Sequence, residues 1–322
     1  MSSLRLHKST TVRTSSWAIR RAAIRSVHPL APAWATQVAA RWFVTPDRAV
    51  SVRATSGEAA TAELDDGEAL VLEGSAGRLA ARSWGRGPLV LLVHGWNGRG
   101  AQLAAVGRSL AERGFRAVAF DHPAHGESSG RTVTIAGMAS AIRDVSAQLG
   151  GAEAVVAHSL GAVAAVLALS RGLRAGRAVL VAPPIDPERW VHRFGRAIGL
   201  PSSAGRDLAA AIEDRAGMPA RAARPLELAA RLDTRVLVIH DRADREVPVA
   251  DGEALAAAFP AGRFLATDGL GHRRILSSPA ALDAIAEHLG EGRPGAAARG
   301  PRRAWGVRDP HLAAILEQID AD

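Results

Sequence analysis

Cysteine and tyrosine are absent from the 322-residue chain, and Lys8 is its single lysine. Without a thiol there can be no disulfide, no thiolate nucleophile and no cysteine-ligated metal. With its one lysine far from any glycine-rich loop, the chain cannot build a Walker A motif, which removes phosphate-loop NTPase chemistry. Aromatic residues make up only 4% of the chain. No run of about 18 consecutive apolar residues is present, so no membrane-spanning helix is expected. What is present is ample apolar material, 48% of all residues, enough for a sizeable core.

Acidic charge is also missing, but only locally. The formal net charge is +8, and residues 1 to 53 alone hold nine Lys/Arg against one acid, Asp47. The rest of the chain holds 31 basic and 31 acidic side chains, so the body is neutral and the excess sits in an arm. A global nucleic-acid groove is not implied, and no nucleic-acid partner is expected. The arm is rich in Ser, Thr and Arg, and Trp17, Trp34 and Trp42 stand among its basic residues. Its composition is that of a transit peptide, yet no apolar stretch of a secretory signal follows the charges. Trp17, Ile19, Ile24 and Val27 share no clean helical face. Three readings follow: a disordered or packing arm, peripheral contact with an anionic membrane surface, and targeting. A cytoplasmic protein with optional membrane contact is the expectation.

From Glu68 the chain becomes regular. Apolar strands are expected at Arg78 to Trp84, Leu89 to Val93, Phe115 to Phe120, Ala154 to Ala157, Ala178 to Val181, Val236 to Ile239 and Arg263 to Ala266. Helical stretches fall between them, at residues 102–113, 133–149, 160–169, 252–258 and 280–289. Strand alternating with helix means an α/β protein with a mostly parallel sheet covered on both faces. The rhythm breaks at 186–232, a helical, arginine-rich insertion without a strand. Residues 1–53 thus form the arm, 54–290 the body, and 291–322 a glycine- and proline-rich linker with a last helix at His311 to Ile319. Gly290, Gly292 and Gly295 fit a dinucleotide fingerprint in spacing, but they follow a helix instead of a strand, so that reading is rejected.

The strand at Ala154 runs into Ala157, His158, Ser159, Leu160 and Gly161 and then a helix, the context of a nucleophile elbow with Ser159 at its tip. A serine hydroxyl needs a base within hydrogen-bond reach and an acid to orient that base. His272, after the strand at Arg263, is the candidate base. Asp244 is favoured as the orienting acid, with Asp241 instead tying up local backbone N–H groups. Negative charge on an attacked carbonyl would be met by the backbone N–H groups of Leu160, at a helix start, and Trp96, which follows His94 and Gly95. The histidines at 122 and 125 lie in one turn, Asp121 to Ser128, which reads as structural because metal ligands must converge from more than one element.

These markers, with Trp84 to Pro88, Asp121 to Ser128 and Val247-Pro248, stand in the order seen in the α/β-hydrolase superfamily, which the chain resembles over residues 68 to 290. Three departures are Ala157 and Ala124 where glycine is usual, and Asp241 where glycine usually precedes the acid. The resemblance implies the α/β-hydrolase fold with 186–232 as a short helical cap, and no metal or organic cofactor. Dehalogenases and epoxide hydrolases of that superfamily use an aspartate nucleophile, which Ser159 excludes. A serine hydrolase acting on an ester or related acyl bond of a small molecule is the expectation. The alternatives are an acyltransferase or thioesterase of the same fold, and a binding protein without turnover. Candidates for lining the substrate pocket are His94, Gly95, His158, Trp190, Phe194 and Ile198. The last three fall at i, i+4 and i+8 on one helix face, for which packing is the plainer reading. The cap's eight arginines against six acids require no strongly anionic substrate.

Overall fold

A computed structural model describes residues 9–48 and 67–291, with side chains from Trp17 onward. The expected last helix, and the linker beyond Glu291, lie outside the described residues.

Eight strands form one sheet: β1 (Glu68–Gly74), β2 (Gly77–Trp84), β3 (Leu89–Val93), β4 (Arg116–Phe120), β5 (Ala154–His158), β6 (Arg177–Val181), β7 (Arg235–Asp241) and β8 (Gly262–Thr267). Their order is β1-β2-β4-β3-β5-β6-β7-β8. β2 is antiparallel to β1 and β4, and every pair from β4 to β8 is parallel. All five residues of β3 and of β5 are buried. Successive side chains of a strand point to opposite faces, and each face here has its own core. Leu91, Val93, Val155 and Ala157 pack on one side, and Val90, Leu92, Ala154 and Val156 on the other.

The helices that cover these faces begin where the sequence supplies a start. α3 (Ala104–Ala111) follows one 3-10 turn at Gly100–Leu103. α4 (Ile135–Gln148) is capped by Thr134, whose hydroxyl accepts from the Gly137 N–H at 3.2 Å. α5 (Leu160–Ser170) is apolar nearly all round because it is buried nearly all round. β1 was not foreseen: of its residues only Leu72 is buried, so it shows no alternation to read.

The insertion contains α6 (Pro187–Ala197), α7 (Gly205–Ala216) and α8 (Pro225–Ala229) and no strand. Asp186 caps α6 by accepting from the Arg189 N–H at 2.9 Å, and Pro187 occupies the first turn, where its missing N–H costs nothing. The body continues with α9 (Val249–Ala258), the short α10 (Gly271–Arg274) and α11 (Pro279–Gly290).

The described part of the arm is helical: α1 (Ser9–Val27) and α2 (Pro32–Phe43). Both dock on the insertion. Ile24, Ala35, Ala39 and Ala40 are buried in one cluster with Val191, Ile198, Leu200, Leu208 and Ala211. The chain then returns to the body. The Val133 N–H donates to the Val44 carbonyl at 2.9 Å, the Asp47 N–H to Asn97 Oδ1 at 2.8 Å, and Arg48 to the carbonyls of Ala124, Ser128 and Gly130.

Chain direction sets the location of a cleft. From β3 the chain passes to β4 on one side and then crosses to β5 on the other, so the strand order reverses at β3 and β5. In open parallel sheets the crevice at the carboxyl ends of such a pair is where ligands bind. Gly95 follows β3 and Ser159 follows β5.

Candidate active site

Ser159 has φ 54° and ψ −130°, a left-handed backbone forced on a non-glycine residue. Such a conformation costs about 1–3 kcal/mol and persists only where the surroundings impose it. They do so here: the Ser159 N–H donates to the Val181 carbonyl at 2.8 Å, and α5 starts at the next residue. A Cβ on Gly161 would lie 2.4 Å from the His94 carbonyl oxygen, and one on Gly95 would lie 2.9 Å from the Ser159 Cβ. Only glycine lets these two loops meet. Ala157, the departure from the usual pattern, is fully buried in the core and its methyl is accommodated there.

His272 opens onto the serine from α10. Its Nε2 lies 3.0 Å from Ser159 Oγ and its Nδ1 lies 2.7 Å from Asp244 Oδ2. A carboxylate only accepts, so Nδ1 carries the proton and Nε2 presents a lone pair to the hydroxyl. The Asp244 side chain is wholly withdrawn from water. Burial alone would raise its pKa. Hydrogen bonds from His240, His272 and the Val247 N–H outweigh burial and hold the carboxyl well below the usual range.

The two aspartates have different partners. Asp241 Oδ1 accepts from the Ala243 and Gly271 N–H groups at 3.0 and 2.9 Å, and its Oδ2 accepts from the Thr267 hydroxyl and the Leu270 N–H at 2.7 and 3.0 Å. It splices the loop carrying Asp244 to the loop carrying His272 through these hydrogen bonds.

His240 is the residue that sequence reasoning missed. Fully buried at the end of β7, it places Nε2 3.2 Å from the Val247 carbonyl and 3.3 Å from Asp244 Oδ2. A carbonyl only accepts, so Nε2–H is a donor shared between the two. Asp244 Oδ2 therefore receives hydrogens from two histidines. The only sequence signal was a polar residue closing an apolar strand, one step before an aspartate that drew the attention.

The pocket candidates scatter. Gly95 lies against Ser159. His94 is scaffold: its Nδ1 donates to the Gly95 carbonyl at 2.7 Å and its Nε2 accepts from the His122 N–H at 3.0 Å, which leaves nothing for a ligand. His158 is scaffold too, donating from Nε2 to the His272 carbonyl at 2.8 Å. Burial lowers the pKa of His94 to about 4, and burial with the neighbouring His272 lowers that of His158 to about 3. Phe194 and Ile198 correct the expectation more plainly. The Phe194 ring stands edge-on to Trp17 and Phe43, with centroids at 6.2 and 5.2 Å, and Ile198 is buried against α1 and α2. Trp190 is half-buried under the Arg193 guanidinium.

Leu160, first residue of α5, has an N–H with no acceptor inside its helix. Trp96 is held between Gly95, which backs onto Ser159, and Asn97, whose N–H donates to His125 Nε2 at 3.2 Å. The Asp121 to Ser128 turn is tied by its own groups: Asp121 accepts from the Gly100 and Glu127 N–H groups, and the Ser128 hydroxyl donates to the Asp121 carbonyl. Among the described residues no group of three or more His, Asp or Glu is placed to hold a metal ion.

A family model described as serine aminopeptidase, S33, matches residues 87–211, and one described as TAP-like protein matches residues 202–299. Comparison with curated proteins returns no match. Solved structures are similar over most of their length. A thermophilic esterase from Thermogutta terrifontis is 24% identical with a TM-score of 0.53, covering 69% of this chain and 98% of that one. A hydrolase from Pseudomonas aeruginosa PA01 is 22% identical with a TM-score of 0.56, covering 70% and 100%. A meta-cleavage product hydrolase from Pseudomonas fluorescens IP01 is 17% identical with a TM-score of 0.51, covering 69% and 97%. With this sheet order, this turn at Ser159 and these matches, the chain has the α/β-hydrolase fold.

Proposed function

We propose that the protein is a serine hydrolase that cleaves a carboxylic ester or related acyl bond through an acyl-enzyme. One observation carries the reading: an unbroken hydrogen-bonded line from Ser159 Oγ through both nitrogens of His272 to the buried Asp244.

In this mechanism Ser159 Oγ attacks the substrate carbonyl while its proton passes to His272 Nε2. The imidazolium that forms lies 2.7 Å from the Asp244 carboxylate, which stabilises it without taking its proton. Negative charge on the carbonyl oxygen is met by the Leu160 and Trp96 N–H groups, each worth roughly 3 kcal/mol when aimed at the transition state. His272 then returns the proton to the leaving oxygen as the carbon–oxygen bond breaks. Water, deprotonated by the same imidazole, attacks the acyl-enzyme, and Ser159 regains its hydrogen as the acid departs.

The test uses a fluorophosphonate probe with a chain-length series of activated esters. Labelling at Ser159 and ester turnover are expected, with Ser159→Ala losing all labelling and at least about a thousandfold in kcat. A folded wild type that neither labels nor turns over any ester would leave a binding protein. Turnover that needs an alcohol or amine acceptor in place of water would make the enzyme an acyltransferase.

A further inference from the structure

Four large apolar side chains are strongly exposed among the described residues, and three of them lie in the arm. They are Ile19, 68% exposed on α1, Leu30, 87% exposed in the turn between the helices, and Trp34, 59% exposed in the first turn of α2. The fourth, Val71, belongs to the edge strand β1. Pro29, Pro32 and Ala33 are exposed in the same turn. From Ser26 to Ala40 no residue is acidic or carries a fixed positive charge, whereas Arg20, Arg21 and Arg25 precede this stretch and Arg41 follows it. All four arginines are exposed, and none of them takes part in the ion pairs among the described residues. Residues 1 to 46 contain no acid at all.

An apolar tip flanked in sequence by exposed arginines is therefore displayed on a firm base, with the Arg20 guanidinium over the Trp17 and Trp42 rings at 5.6 and 5.2 Å. The turn is closed by the Leu30 and Ala31 N–H groups donating to the Val27 carbonyl at 3.0 and 2.9 Å, and the buried Ile24, Ala35, Ala39 and Ala40 fasten it to the insertion. Water is a poor neighbour for Leu30 and Trp34, and a neutral or acidic protein face would leave half of this arrangement unmatched. An anionic lipid surface answers both halves: leucine and indole enter the region between headgroups and acyl chains, and guanidinium groups meet the phosphates.

We propose that the α1–α2 hairpin docks the protein on anionic membrane surfaces through the tip formed by Leu30 and Trp34 and the arginines beside it. This is independent of the chemistry assigned to Ser159.

The experiment is co-sedimentation of the full chain with vesicles of mixed phosphatidylglycerol and phosphatidylcholine, and with phosphatidylcholine alone. Wild type and Ser159→Ala are expected to sediment equally with the anionic vesicles, less so as salt is raised, and weakly with the zwitterionic ones. Leu30→Ser with Trp34→Ser should weaken binding roughly tenfold or more per residue, and Arg21→Gln with Arg25→Gln about fivefold per charge, about thirtyfold for the pair. Turnover of a water-soluble ester by the Leu30→Ser, Trp34→Ser protein should equal that of wild type. The proposal is overturned if wild type does not sediment with anionic vesicles, or if the tip variants sediment undiminished. It is equally overturned if the tip variants lose only self-association or nucleic-acid retention. Vesicle binding without ester turnover would sustain it and count against the hydrolase reading alone.

Discussion

Asp241 and Asp244 stand three positions apart in one loop, both out of reach of water, and their neighbours give them separate tasks. Burial pushes the Asp241 carboxyl up, but the Gly271 N–H, the Thr267 hydroxyl and the Leu270 and Ala243 N–H groups outweigh it, so the group stays ionised as a splice between loops. Asp244 spends one oxygen on the Glu246 and Val247 N–H groups and the other on His272 and His240. A kinetic series separates them. Asp244→Asn should lower kcat about a thousandfold or more, because the amide can hold the wrong histidine tautomer. His240→Gln should cost about tenfold in kcat with KM unchanged, the worth of one hydrogen bond that fixes a carboxylate. Asp241→Asn should leave kcat within about tenfold of wild type while lowering unfolding free energy by about 2–4 kcal/mol, read from the urea midpoint. If Asp241→Asn cut turnover as deeply as Asp244→Asn at undiminished stability, the two assignments would have to be exchanged. Ser159, Asp244 and His272 were legible as a candidate set because each sits at a strand end marked by small residues or a turn. His240 was not, since nothing in a one-dimensional pattern shows which strand-end side chain folds back on a loop.

For strands and helices the reading succeeded where burial is simple. Runs such as Leu89 to Val93 are apolar because both sheet faces are covered, and their ends came out within a residue or two. In the arm, for which packing was one of the readings, the two helices were not foreseen, and the reason is size. The contact between α2 and the insertion is made by Ala35, Ala39 and Ala40, whose smallness allows close approach but scarcely registers as hydrophobic periodicity. The stripe of Trp190, Phe194 and Ile198 was visible, but an apolar face does not name the element it meets. Two of the three meet the arm. Ile24 is the largest fully buried arm residue, so Ile24→Ala should weaken the docking by about 2–4 kcal/mol. Limited proteolysis within residues 28–48 should accelerate accordingly, while probe labelling of Ser159 persists. Equal cleavage rates in variant and wild type would mean that the hairpin is held by something else.

Across the whole molecule, buried imidazoles set the response to acid. Burial lowers the pKa of His94 to about 4, of His125 and His158 to about 3 and of His288 to about 4, and with the neighbouring His94 and His125 it keeps His122 well below its ordinary value. An unfolded chain would protonate all five near pH 6.5. Between about pH 6.5 and pH 4 the unfolded state therefore binds more protons than the native one, and stability must fall as pH drops through that window. The slope approaches about 1.4 kcal/mol per pH unit for each such histidine. The depressed Asp244 extends the loss to lower pH, since its contribution is present above the ordinary carboxylate pKa and disappears on further acidification. Urea midpoints measured at about pH 7 and about pH 5 should differ steeply, and equal midpoints would contradict the burial of these rings. The arm's route has a mechanical outcome of its own. The insertion leaves the sheet after β6 and rejoins it at β7, two strands that are neighbours, and a flap attached along one such edge could swing like a door. Here the flap is also stapled from outside, by a hairpin whose trailing residues are pinned to Asn97 and to the loop behind it. The insertion is thus tied on two sides, by its own junctions with β6 and β7 and by the arm, and both ties must give before it can lift.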